Sequence, residues 1–506
     1  MTDTMTARPV PAALRMVPWA VAAGLGLAGI ALQSVTYLNH DVSWVLWSSG
    51  RLLDGGVFGH EVVAANPPLI WWISALPMAL SRLTGLGPVT CFHVFMGVIL
   101  TLSMMASDRL LRPVLAAPQR AFFLGIAALI LSLGAGRDFG QRENITVIAA
   151  LPYILMVAAR LRGEAQGWLF AAAAGSAAAI GFAFKPHLLA VPILLEMAML
   201  LRIGFGRTMV RAELWAAALT IVAYAAAVLV FASPYLFEAM PAIAQVYWAF
   251  NVPEPMALVM NTVPSAAALA LSLLLVARED WKPEPVVLIL AGAGFLVAAV
   301  LQWKAYSYHL YPVYVMGYLA LTYLATSSRL PRILAAAVLT YFAVASVYSI
   351  KDRVAGGEMG DSRAAMIDFV NANTPDGGRF LAFSTHPFPG FPTALYVHAT
   401  WAARTNSRLF LPAVARLSAS PIGRDEELAF ASAREHAAAL ADMTPLPDLV
   451  LIDVQPVRHA ILELPFDYLA FYRQDPQFAA KWLNYEEIPG APEGYRAFRL
   501  WKGVRQ

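Results

Sequence analysis

The sequence predicts an α-helical polytopic membrane protein with about eleven spans, an interfacial helix in its first outer loop, and a small C-terminal α/β soluble domain. Three observations predict it. The 506 residues are 59% hydrophobic and 14% charged, against about 25% charged in soluble domains. The apolar residues come in blocks of roughly 16–25, the length that crosses about 30 Å of hydrocarbon. Beyond Lys351 the blocks stop, and helix-like and strand-like stretches alternate as in a small α/β domain.

Taken in order, the apolar blocks place spans near 17–38, 89–107, 121–136, 145–159, 167–184, 187–201, 213–232, 257–277, 285–301, 309–326 and 333–350. Arg8 and Arg15 before Val17–Leu38 resemble a signal peptide. The apolar part exceeds the usual h-region of about 7–15 residues, so it reads as an uncleaved first helix. The first outer loop, 39–87, is too polar in its first half to cross a bilayer. Its second half, PPLIWWISALPMAL, begins with two prolines that suit a helix start. Trp71 and Trp72 favour the headgroup region and Pro77 would interrupt a clean span, so Leu69–Leu83 is expected to lie in the interface.

The charge distribution supports that choice. With the N-terminus inside and Leu69–Leu83 interfacial, cytoplasmic segments hold fourteen Lys and Arg, from Arg8 and Arg15 through Arg109, Arg160, Arg202 and Lys282 to Arg332. The opposite loops hold six: Arg51, Arg82, Arg137, Arg142, Lys185 and Lys304. If Leu69–Leu83 crossed instead, most of the fourteen would move outside, against the positive-inside rule. The chain then divides into a multi-spanning domain, 1–350, and an extracytoplasmic α/β domain, 351–506, in which RFLAFST and PDLVLIDV are strand-like. Alanine richness and short basic loops fit a bacterial inner membrane. The single cysteine, Cys91, excludes a disulfide framework and a cysteine metal site. No basic groove with interleaved aromatics is present, so nucleic acid is excluded as a partner.

Polar residues from separate loops collect on the outer face. His40, Asp41, Arg51, His60 and Glu61 come from the first loop; Arg137, Asp138, Arg142 and Glu143 from GRDFGQREN; Lys185 and His187 from FKPH; Lys304, Tyr306, Tyr308 and His309 from QWKAYSYHLYP. Charges near hydrocarbon are expensive and usually functional. The bland readings are mutual neutralisation of Arg142 and Glu143, a snorkelling Lys185, and histidines capping helix ends. The tail histidines, His386, His398, His436 and His459, are scattered and give no cluster. His40, Asp41, His60 and Glu61 carry metal-capable atoms but no compact zinc spacing. No metal site is assigned and no cofactor is required, although a divalent metal is compatible.

An acidic residue just after the first span, the Asn66-Pro67-Pro68-Leu69 start of an interfacial helix and a Glu in the second outer loop resemble the GT-C membrane glycosyltransferases. The branch is that of protein O-mannosyltransferases and lipid A aminoarabinose transferases. The resemblance covers roughly residues 17–350 and implies a polyprenyl-phosphate-linked sugar donor and transfer on the outer side. It matches Asp41 and Glu143 to the family's catalytic carboxylates. The family often has Asp-Glu where this chain has His40-Asp41, which leaves a second shared carboxylate unassigned.

The chemistry agrees. An acceptor hydroxyl must lose its proton as it attacks, which a carboxylate accepts, and the departing phosphate gathers charge that cations stabilise. Asp41 and Glu143 are therefore the expected catalytic residues, with Arg142, Lys185, Lys304 and His309 on the donor phosphate. His40, Arg51, Glu61 and Tyr306 are expected on the substrate or acceptor side. The acceptor is an envelope glycan, lipid or protein, and membrane lipids are partners. A transporter or flippase of lipid-linked sugars, and a polysaccharide ligase or polymerase, are the competing functions. The first would place polar residues at mid-membrane in broken helices.

Overall fold

The computed structural model describes residues 12–251, 255–277, 281–302, 304, 306–326, 360–420 and 423–501, with isolated positions from 333 to 351. Its helices up to that gap are α1 (Ala12–Gln33), α2 (His40–Leu53), α3 (Leu69–Thr84), α4 (Pro88–Leu111), α5 (Ala117–Leu131), α6 (Arg142–Leu161), α7 (Trp168–Phe182), α8 (Ala190–Ile203), α9 (Phe205–Met209), α10 (Ala212–Phe231), α11 (Met240–Val246), α12 (Pro255–Val276), α13 (Pro283–Gln302) and α14 (Ser307–Ala325). Ten of the eleven expected spans coincide with helices. The eleventh, 333–350, lies outside the described residues apart from isolated positions. Among the described residues, six helical segments are long and apolar enough to cross a membrane: Pro88–Leu111, Ala117–Asp138, Arg142–Leu161, Pro186–Ile203, Ala212–Phe231 and Pro283–Gln302.

The chain forms two compact units. The first comprises Met1–Val35, His93–Val222 and Pro255–Ile350, and is a helical bundle. Here α1 packs on α5, α6 on α7 and α13, and α14 on α12 and α13. Small residues allow close crossings: a Cβ on Gly294 of α13 would lie 2.6 Å from Val191 Cα of α8, and one on Gly317 of α14 would lie 3.0 Å from Ala268 of α12. Helix α6 is buried along most of its length, from Arg142 to Ala159.

The basic loops are less free than a count of charges implies. Asp108 is fully buried between Arg112 and Arg120, at 2.9 and 2.8 Å. Arg160 pairs with buried Glu213 at 2.9 Å, Arg162 with Glu284, and Arg211 with Glu196. These carboxylates join helix ends that are far apart in sequence. Burying them requires the arginine partners, because an unpaired buried charge is prohibitive.

The second unit comprises Thr36–Phe92, Ala223–Glu254 and Lys351–Gln506, so residues 39–87 and 223–254 group with the tail. Asn39 caps α2 by accepting the Asp41 N–H at 2.8 Å. Helix α3 starts after Pro67-Pro68, as its prolines predict, and stops at Gly85 in the left-handed region (φ 73°). Trp71 departs from expectation. It is 1% exposed, and its Nε1 donates to Ser48 Oγ at 2.8 Å. It is an internal strut between α3 and α2, not a headgroup anchor.

The tail folds as α15 (Gly360–Asn373), β1 (Arg379–Phe383), β2 (Thr400–Trp401), α16 (Leu411–Ala419), α17 (Asp425–Asp442), β3 (Leu449–Asp453), α18 (Tyr468–Tyr472), α19 (Pro476–Trp482), β4 (Tyr485–Ile488) and β5 (Tyr495–Leu500). The sheet order is β2-β1-β3-β5-β4, with β1 parallel to β2 and β3, and β5 antiparallel to β3 and β4. The two strand-like runs read from the sequence are β1 and β3. Both are almost continuously apolar and buried, as strands covered on both faces must be. The crossover from β1 to β3 carries α16 and α17. There Arg408 is 1% exposed and donates to Glu435 and Asp442, each at 2.6 Å.

Candidate active site

In the first unit, four segments bring their charged residues together. Glu143 sits in the first turn of α6, and Lys185 caps the short turn Pro186–Leu189. Lys185 Nζ donates to Glu143 Oε1 at 2.6 Å and to Gln302 Oε1 at 3.2 Å, and lies 3.4 Å from His309 Nε2. Its ammonium stands 5.1 Å from the Tyr308 ring centroid. Tyr306 lies 5.6 Å from the His309 ring, and Tyr308 4.4 Å. Arg142 and Lys304 act electrostatically on His309 as well. Asp138 accepts from Ser307 Oγ at 3.1 Å.

The grouping answers the bland readings. Lys185 is 5% exposed and ion-paired, so it does not snorkel, and Glu143 neutralises Lys185. Glu143 Oε2, His187 Nε2 and His309 Nδ1 are buried with no hydrogen-bond partner among the described residues, so the two histidines are not caps through those atoms. Arg142, Lys185 and Lys304 thus act together on His309, with Glu143 paired to Lys185, and cations so placed can hold a phosphate. Gln302 was missed in the sequence. It is an ordinary helix-end glutamine there, and only the Lys185 contact marks it.

In the second unit, Asp41 and His40 open α2, with His40 Nε2 3.9 Å from Asp41 Oδ1. Two tail histidines join them, which corrects the reading of those residues as scattered. The His386 ring lies 4.9 Å from His40 and 5.5 Å from His459. Burial holds His386 well below the ordinary imidazole range. Its Nδ1 accepts the Phe388 N–H at 3.0 Å, and its own N–H donates to Ser384 Oγ at 3.1 Å. His398 and His436 stay apart from this group. His398 lies 3.6 Å from Asp376, and His436 packs on Phe471.

Arg51 ties the 39–87 segment to the tail, and Glu61 is occupied within its own loop. Arg51 donates to the carbonyls of Trp401 (2.8 Å), Ala403 (2.9 Å) and Glu61 (3.3 Å), and its guanidinium covers Trp47 at 4.6 Å. Glu61 Oε2 accepts the Val57 N–H at 2.7 Å. Both hold the 39–87 segment in shape. His60 pairs with Glu238 at 3.5 Å on the rim of a cavity of about 270 Å³, also lined by Arg404, Arg434 and Asp442. Among the described residues, no group of three His, Cys, Asp or Glu is arranged to hold a metal ion.

A solved structure shares this architecture. The crystal structure of ArnT from Cupriavidus metallidurans, bound to undecaprenyl phosphate, matches with a TM-score of 0.54 at 14% identity, over 96% of this chain and 98% of that one. This chain has the ArnT fold. The GT-C architecture expected from the sequence is thereby borne out, and the ArnT likeness extends through the tail, beyond the 17–350 covered by the motifs. No family model and no curated protein matches the sequence.

Proposed function

We propose that the protein is an inverting glycosyltransferase that moves a sugar from a polyprenyl-phosphate donor to an envelope acceptor on the periplasmic side of a bacterial inner membrane. The observation that carries this reading is the gathering of Arg142, Lys185 and Lys304 about His309, with Glu143 on Lys185, in a fold whose solved example holds undecaprenyl phosphate. In this proposal about eleven helices span the membrane, and both the first outer loop and the tail lie outside.

The cations hold the donor phosphate and take up the charge that develops as the sugar–phosphate bond breaks. Glu143 orients Lys185 and offsets the cost of burying it. Asp41, half-buried in the first turn of α2, accepts the proton of the acceptor hydroxyl as the hydroxyl oxygen attacks the anomeric carbon. Free polyprenyl phosphate departs.

The test uses purified protein in detergent with a radiolabelled sugar on undecaprenyl phosphate and native membrane extract as acceptor source. Release of undecaprenyl phosphate by the wild type and its loss in Asp41→Asn support the proposal. Wild-type turnover in Asp41→Asn removes Asp41 from the mechanism. Detergent also separates transfer from transport, since transport needs two compartments.

A further inference from the structure

One cavity takes no part in the transfer chemistry above. It belongs wholly to the second unit, measures about 270 Å³, and is walled by residues from 59–63, 238–243 and 404–442. The three walls are tied to one another. A Cβ on Gly59 would lie 2.2 Å from the Tyr235 nitrogen, so the first wall runs directly against the segment that leads into the second. The Val63 N–H donates to the Arg404 carbonyl at 2.8 Å, which joins the first wall to the third. The space is a fixed feature of the packing, not a gap beside a loose loop.

In the floor the charges are spent on one another. Arg408 donates to Glu435 and Asp442 at 2.6 Å each, and the Tyr472 hydroxyl donates to Glu435 at 2.8 Å. At the mouth stand exposed side chains: His60 and Glu238, 3.5 Å apart, on the first two walls, and Arg404 and Arg434 on the third. Counting histidine as neutral, the lining's three arginines are matched by its three carboxylates, so no net formal charge selects an anion or a cation. What the lining offers is donors and acceptors around one space, since a guanidinium can only donate and a carboxylate can only accept. Ala242, Ile243, Leu409 and Phe410 add an apolar wall with one aromatic ring. A hydroxyl both donates and accepts. A ligand dense in hydroxyls, with a C–H face to lay on that wall, meets every kind of group present.

We infer that this cavity is a saccharide site, holding one uncharged pyranose ring of an envelope glycan. At about 30 Å³ for each water, 270 Å³ equals roughly nine waters, enough for one ring with its hydroxyls and too little for a prenyl chain. The site goes beyond the transfer reading, because binding here involves neither the donor nor the group around Lys185. It gives the second unit its own hold on the glycan.

The test is saturation-transfer NMR on the full-length protein in an amine-oxide detergent, which has no sugar headgroup. The probes are the methyl glycosides of glucose, galactose and N-acetylglucosamine, with inorganic phosphate as competitor. At least one glycoside should bind with a Kd of about 1–10 mM, the range open to so small a ligand, and phosphate should not displace it. Glu238→Ala and Arg434→Ala each remove one exposed group from the mouth and should each weaken binding about threefold to tenfold. Ala438→Trp, on the third wall, should fill the space and abolish the signal. If that variant does not fold, the Glu238→Ala and Arg434→Ala pair decides alone. No saturation transfer at about 50 mM glycoside, transfer unchanged in every variant, or displacement by phosphate at equal concentration overturns the inference. A wild type that binds glycosides and consumes no donor overturns the glycosyltransferase reading alone. An active wild type without saturation transfer overturns this inference alone.

Discussion

The Lys185–Glu143 pair gives the sharpest perturbation, because both side chains are almost fully buried, 6% and 2% exposed, at a separation of 2.6 Å. Glu143→Leu leaves the Lys185 ammonium with Gln302 and the nearby charges of Arg142 and Lys304. Breaking one partner of a buried pair costs about 3–5 kcal/mol, whereas replacing both with apolar groups is close to neutral. Glu143→Leu and Lys185→Met should therefore each lower the apparent Tm, by about 6–10 °C at roughly 2 °C per kcal/mol for a large chain. The double variant should recover most of that loss. Thermal unfolding in one detergent, read as a double-mutant cycle, gives the coupling directly. A coupling above about 2 kcal/mol is expected for charges that share a dry site. Additive shifts, with the double variant at the sum of the singles, would refute the description of this pair as buried and mutually dependent.

Three further outcomes follow from the second unit. Arg408→Met strands the carboxylates of Glu435 and Asp442, so the variant should lose about 3–5 kcal/mol at neutral pH. Burial already pushes the Asp442 carboxyl up, and losing Arg408 raises it further. A folded-state pKa above the unfolded value lowers stability as pH rises through that window, so the deficit should shrink toward pH 4; a deficit constant with pH would contradict the assignment. Arg51→Met removes three carbonyl contacts and should speed amide exchange in residues 54–66 and 401–405, measured by hydrogen–deuterium exchange, while unchanged exchange would show the clamp to be idle. Trp71→Phe should cost about 1 kcal/mol through the lost Ser48 hydrogen bond, read by thermal unfolding, and leave the helix content unchanged.

Much of this was legible in the sequence because the signals are local. Each apolar block reports its own helix, and Pro67-Pro68 and Gly85 punctuate α3 without reference to anything distant. Arg142, Lys185, Lys304 and His309 could be grouped because alternation of loops across a membrane sorts residues by side. What alternation cannot give is pairing. It leaves Arg142 and Lys185 equally plausible partners for Glu143, and only helix packing selects Lys185. The histidine row was illegible for a related reason. His386 and His459 follow β1 and β3, which are neighbours only because the sheet pairs them in parallel across a long crossover. Trp71 was misread because a statistical preference for headgroups says nothing of a serine one helix away.

The most direct measurement is the affinity of the purified protein for undecaprenyl phosphate, compared between wild type, the stable Glu143→Leu/Lys185→Met double variant and Asp41→Asn. Loss of one buried charge-assisted contact is worth about 1.5–3 kcal/mol, so the double variant should bind at least tenfold more weakly. Asp41→Asn, which acts on the acceptor, should bind as the wild type does. Equal affinity in all three proteins would contradict the assignment of the lipid phosphate to the cationic group around Lys185.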